Sequence, residues 1–159
     1  MIYYTAIWGL IFTALIAGAL WCAWRISITD LRRRIIPDVF LFPLMIIGMV
    51  IVQFFPWICT PQMSVIGAAF GYAMGAIIGF LFRTRQQDRN AIPPIGMGDI
   101  KLLGAGGVWM GATGLAMALI LACISGTIWA RAKNQRYIPF APFFIGGGIL
   151  SLITMSFLL

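Results

Sequence analysis

Every Lys and Arg in the chain lies in or beside one of three short stretches, 25–34, 83–101 and 131–136. Between them run apolar segments at about 2–24, 39–59, 63–82 and 100–130, with a last one after Pro142. An apolar run of roughly 17–25 residues can cross a bilayer as a helix. In hydrocarbon each backbone N–H and C=O must find its partner inside the segment or its immediate neighbours, which leaves few alternatives to helix. The alternation therefore predicts an all-α integral membrane protein. Composition agrees, with 62% hydrophobic and 9% charged residues, against roughly 45–50% and 25% in soluble domains. Spans of this length take up nearly all of the 159 residues, so 1–159 is expected to be a single membrane-embedded domain. No Lys or Arg precedes the first run. The basic head of a cleaved signal peptide is missing, and the first run is read as a retained span.

Parity then sets a topology. Cytoplasmic loops carry the excess of Lys and Arg, so loops at about 25–38, 83–99 and 131–138 are expected inside. The turn at 60–62 and both termini carry no side-chain charge and are expected outside. The run 100–130 begins and ends inside, so it crosses twice or not at all. Two crossings of about 15 residues each would be short. Gly111-Ala112-Thr113-Gly114 is the predicted outer turn between them, and a re-entrant hairpin buried in protein is the other reading. The expectation is a bundle of about six transmembrane helices with N and C termini outside the cytoplasm. Gly67, Gly71 and Gly75, four apart, form a smooth stripe for close helix packing. Pro56 is placed where a helix can stop, and Pro93-Pro94 cannot continue one.

There is no histidine, and Cys22, Cys59 and Cys123 form no C-x-x-C pair. Zinc, haem and Ser-His-Asp chemistry are thereby disfavoured, and no metal or cofactor is expected. The net charge of +7 sits between apolar runs, a distribution suited to anionic lipid rather than nucleic acid.

The acids are Asp30, Asp38, Asp88 and Asp99, with no glutamate. Asp99 stands in Gly96-Met97-Gly98-Asp99-Ile100-Lys101 at the edge of an apolar run. A charge beside hydrocarbon is costly and marks a candidate functional site. Glycines without Cβ permit a tight turn and the close approach of another chain. Topology puts Asp30 at the same membrane edge. Two carboxylates that share a site cannot both ionise cheaply, and they titrate as a unit. The ionised one can take a proton from water, and the protonated one can donate to a scissile carbonyl or leaving amine. Plainer readings exist for each acid. Asp30 could pair with Arg33 or Arg34 on the helix surface. Asp38, after Pro37, is suited to capping the second helix. Asp88, between Arg85 and Arg89, reads as a solvated loop residue.

Three stretches carry a resemblance. They are Ile28-Thr29-Asp30-Leu31-Arg32-Arg33-Arg34-Ile35-Ile36-Pro37-Asp38, Gly96-Met97-Gly98-Asp99-Ile100-Lys101-Leu102-Leu103, and Ile138-Pro139-Phe140-Ala141-Pro142-Phe143 followed by Gly146-Gly147. In this order they resemble the motifs of type IV prepilin peptidases, membrane aspartic proteases of the GxGD class. The resemblance implies that Asp30 and Asp99 are the catalytic pair, with Asp38, Gly96, Gly98 and Lys101 in support. It implies no cofactor, a multi-pass location in a bacterial inner membrane, and membrane lipids as surroundings. The implied partner is a prepilin or pseudopilin, whose short basic leader is cut after a glycine at the cytoplasmic face. Longer members carry a cysteine-rich domain linked to N-methylation. This sequence has no such insert, so it resembles a short form without methyltransferase activity. Lys101, two residues from Asp99, is not expected to pair with it on one helix face. A local positive potential, or a contact to a loop or lipid phosphate, is expected instead. A small carrier or proton pathway using the same aspartates, and a non-catalytic assembly subunit, are the alternatives.

Overall fold

The computed structural model describes residues 2–85, 95–135 and 138–158, so the readings of Asp88 and Pro93-Pro94 lie outside the described residues. Five helices follow one another: α1 (Ile2–Arg33), α2 (Asp38–Phe54), α3 (Pro61–Arg85), α4 (Met97–Lys133) and α5 (Phe140–Leu158). No strand occurs among the described residues. Four helices are long and apolar enough to cross a membrane, over 6–33, 61–84, 97–133 and 140–157, and Asp38–Phe54 is a shorter apolar helix.

Helix ends follow local chemistry. The basic stretch expected in the first loop is helical as far as Arg33, which leaves only 34–37 to join α1 to α2. Arg34 takes a left-handed conformation (φ 55°), and its N–H closes the last turn on the Asp30 carbonyl at 2.9 Å. Phe55 is extended (φ −122°, ψ 153°) and ends α2, because the ring of the following Pro56 disfavours helical backbone there. α3 opens on Pro61, whose missing N–H costs nothing at a first helical position. Thr60 Oγ1 accepts the Met63 N–H at 3.3 Å and caps that start. Thr60-Pro61 is thus a helix-start signal inside what the sequence suggested was only a turn.

α4 is two helical segments that meet at Gly111, where φ is 65° and ψ is −175°. That backbone region is open essentially to glycine alone. The chain reverses there. Before the break, Ile100, Leu103 and Gly107 meet Gly75, Gly71 and Gly67 of α3 in turn. After it, Leu115 returns to Gly71, Ala118 and Ala122 meet Gly147 of α5, and Gly126 meets Phe143. Phe144 lies on Gly106 of the first segment, so α5 runs beside both arms. The reversal falls in the turn predicted at 111–114. At 1.5 Å per residue, 97–110 rises about 21 Å and 112–133 about 33 Å.

A helix that ends among apolar side chains leaves carbonyls without partners. Here Ser64 Oγ donates to the Val108 carbonyl at 2.7 Å, and Trp57 Nε1 donates to that of Trp109 at 2.9 Å. The Trp109 indole N–H in turn donates to the Leu44 carbonyl at 3.1 Å, which ties α4 to α2. These bonds give the carbonyls at the end of the first segment partners within the protein.

The core surrounds α4. Leu102, Leu115 and Ala118 of α4 are fully buried with Ile26 of α1, Leu41 of α2 and Phe144 of α5. The outward faces expose Leu10, Val39, Val65, Ile128 and Phe157, the pattern of surfaces that meet lipid rather than water.

Candidate active site

Asp30 lies one turn before the end of α1 and is only 5% exposed. A buried carboxylate is costly without hydrogen-bond donors. Its Oδ2 accepts the Ala141 N–H at 2.8 Å. Ala141 is the second residue of α5 and fully buried. First-turn N–H groups have no helical partners, and the positive end of the helix dipole favours an anion there. Arg34 adds a positive charge that acts on the same carboxylate. Asp30 is therefore held by the start of another helix, with the Arg34 charge acting on it from one turn away. The stretch 138–143 delivers that helix start, and Pro142 fits a first turn because its position needs no N–H.

Asp99 is the third residue of α4 and partly buried. Gly96 precedes the helix in extended backbone (φ −73°, ψ 154°). Its N–H donates to Asp99 Oδ2 at 3.1 Å, so Asp99 caps its own helix. Gly98 faces Ile36 in the connection between α1 and α2, where a Cβ would stand 2.9 Å from the Ile36 Cβ. The space freed by this glycine is taken by the chain itself, while Gly96 stays exposed. Packing of Gly98 on Ile36 draws the Asp99 turn against the segment that follows Asp30. The two carboxylates are near enough that the Asp30 charge acts on Asp99. Each is anchored at one oxygen by a backbone N–H.

Asp38 and Lys101 correct two expectations. Asp38 opens α2, but Pro37 is the cap residue and no side-chain cap bond forms. The Asp38 carboxylate instead takes Lys101 Nζ at 2.6 Å. Lys101 Nζ also lies 5.7 Å from the centre of the Phe42 ring, a favourable cation–aromatic contact. Its partner among the described residues is an acid of α2. The bridge ties the second turn of the Asp99 helix to the start of α2. Sequence reading missed it because pairing across helices leaves no local periodicity. With the two side chains 32% and 46% exposed, such a pair contributes about 1 kcal/mol or less. Lys101→Met is expected to lower stability by that amount in thermal unfolding in detergent. The exchanged pair, Asp38→Lys with Lys101→Asp, is expected to recover part of the loss. A swap less stable than either single substitution would argue against direct pairing. Among the described residues no group of three or more His, Cys, Asp or Glu could hold a metal ion.

Comparison with known proteins bears on this geometry. The chain is 31% identical over 133 residues to the prepilin leader peptidase/N-methyltransferase of Burkholderia pseudomallei, covering 79% of this chain and 41% of that protein. The protein of that name from Xanthomonas campestris pv. campestris is 31% identical over 121 residues, 72% of this chain and 40% of the relative. That from Pseudomonas aeruginosa is 29% identical over 148 residues, 86% and 49% of the two chains. The chain thus spans about half or less of the length of these curated relatives. No solved structure matches it. Residues 16–131, which include Asp30, Asp38, Asp99 and Lys101, match the model of the type IV leader peptidase family, and the chain belongs to that family.

Proposed function

We propose that this protein is a membrane aspartic endopeptidase that removes the short basic leader of type IV prepilins or pseudopilins at the cytoplasmic membrane face. The observation that carries this reading is that two carboxylates from separate helices, Asp30 and Asp99, lie near enough for one charge to act on the other, each holding a backbone N–H. In the mechanism one carboxylate is ionised and the other protonated. The ionised one takes a proton from water as the water oxygen attacks the scissile carbonyl, and the protonated one donates to the oxygen that gains charge. Collapse of the tetrahedral species breaks the C–N bond: the proton taken from water passes to the leaving amine, and the proton given to the carbonyl oxygen returns to the second carboxylate. Leader carboxylate and mature amine result, with one water consumed.

The reversal at Gly111 supports counting α4 as two membrane segments, which with the other four helices makes six crossings. On that count the end of α1, the start of α4 and the start of α5 share one side. Arg32, Arg33 and Arg34 beside Asp30 support a cytoplasmic position for that side, and the basic stretches suit the anionic lipid of a bacterial inner membrane. A carrier or proton pathway would place its acids near the bilayer midplane. Here both lie within one turn of a helix end.

The test is co-expression in bacterial membranes with a panel of prepilin and pseudopilin substrates. A shortened product is expected only when the chain is present, with its new N-terminus directly after the leader glycine. No product from any substrate, at verified membrane abundance, would overturn the peptidase reading in favour of a carrier or an assembly subunit.

A further inference from the structure

Helices α1, α4 and α5 do not close completely on one another. Between them lies a cavity of about 260 Å³ with almost entirely apolar walls. At one end it is lined by Leu102, three residues beyond Asp99, and by Phe144, three beyond the Ala141 that holds Asp30. From Leu102 it follows the first arm of α4 to Met110, about 12 Å at 1.5 Å per residue. Its α1 wall carries Ala23 one turn from Ala19, and Gly106 and Gly148 line it from α4 and α5. Small residues let a further helix come close within a membrane. On its rim, Leu20 and Ile149 are 56% and 45% exposed, so the groove opens sideways toward lipid.

Building on the peptidase reading, we propose that this groove seats the apolar helix of the substrate just after the scissile bond and takes up its first bulky side chains. Position supports one occupant. A polypeptide whose scissile bond lies at Asp30 and Asp99 has its leader on the basic side, so its next residues must run into hydrocarbon. The groove begins one turn from both anchoring points and leads that way. Size agrees. With about 260 Å³ of free space and almost entirely apolar walls, the groove is too small for a whole helix and offers water few hydrogen-bond partners. It is the room of two or three large side chains, which is what one face of a helix presents over about 12 Å at i, i+4 and i+7 spacing. The substrate helix would rest on the rim between α1 and α5 and insert those side chains.

The experiment narrows the groove and then shrinks the substrate. Ala23→Phe and, on the rim, Ile149→Trp are compared with Phe70→Trp, which replaces an exposed residue of α3. Cleavage kinetics are read with a native prepilin and with one whose first bulky apolar residues after the cut are alanine. Ala23→Phe is expected to raise KM for the native substrate about tenfold or more, with kcat within about twofold. The alanine substrate is expected to remove most of that difference, and Phe70→Trp to change neither constant. Unchanged KM in both groove variants overturns the proposal, as does a loss that the small substrate does not relieve. A photoreactive side chain placed at the same substrate positions, read with the unaltered enzyme, gives an independent measure. Cross-links to Leu20 or Ile149 are expected, and cross-links to Phe70 or to lipid alone count against the groove. If the unaltered chain cleaves no prepilin, the peptidase reading fails and this proposal with it. Normal cleavage with indifferent groove variants sinks the groove alone.

Discussion

Asp30→Asn and Asp99→Asn are each expected to reduce leader cleavage at least about a thousandfold while leaving the amount of protein in the membrane unchanged. Asparagine has nearly the size of aspartate, and its amide oxygen accepts a hydrogen bond. The Ala141 N–H at Asp30 and the Gly96 N–H at Asp99 therefore keep an acceptor. What is lost is the ability to take up or release a proton. Positioned proton transfer contributes roughly 10²–10⁴-fold, and the mechanism uses each carboxylate both ways within one turnover. Stability should not fall in Asp30→Asn, since a buried charge is replaced by a neutral group with the same partner. The measurement is the mobility shift of a co-expressed prepilin, normalised to enzyme abundance. Cleavage above about a hundredth of the native rate in either variant would show that its carboxylate is not one of the proton-transfer pair.

Gly107→Ala is expected to have the largest effect on the fold. A Cβ at this position would overlap the Gly67 carbonyl group of α3, which is backbone and cannot swing aside. The first arm of α4 would have to move away from α3. Overpacking of this kind costs roughly 1–3 kcal/mol, and more where backbone must shift. Inside a membrane, helix association rests largely on close contact, so the lost fit is not restored by other burial. Asp99 stands at the head of the displaced arm, and cleavage should fall with stability. Gly146→Ala is the matched control, because a Cβ there meets nothing within 4 Å. Alanine is the better helix former by up to about 1 kcal/mol, so the control should be neutral or slightly stabilising. Thermal unfolding of both variants in detergent checks the contrast. Equal behaviour would mean that α3 and α4 do not touch at Gly67 and Gly107.

Much of the architecture was legible because the forces that set it are local. Long apolar runs become helices wherever hydrocarbon denies the backbone other partners. Pro56 marked the end of α2 through the restriction on the residue before it. Gly111 lay in the one place where the run 100–130 had to turn back. Asp99 stood out as a candidate because it alone among the four acids lies between a glycine and an apolar run, whereas Asp30 became a candidate through the resemblance of its stretch to a family motif. Less was legible at the boundaries. Basic residues from Arg25 to Arg33 looked like a loop but prolong α1, because charge alone does not break a helix and arginine forms one well.

By itself, then, the sequence determined that this chain is helical and apolar, where it reverses, and that any carboxylate chemistry must come from four aspartates. Only the tertiary structure decided what each of those residues touches. Asp30 meets the N–H of Ala141, Asp38 meets Lys101, and Gly98 makes room for Ile36. Which residues form a helix depends on neighbours a few positions away, whose spacing is written in the chain. Which helix ends meet depends on how closely α3, α4 and α5 can approach, and that depends on small residues far apart in the sequence meeting without a Cβ between them.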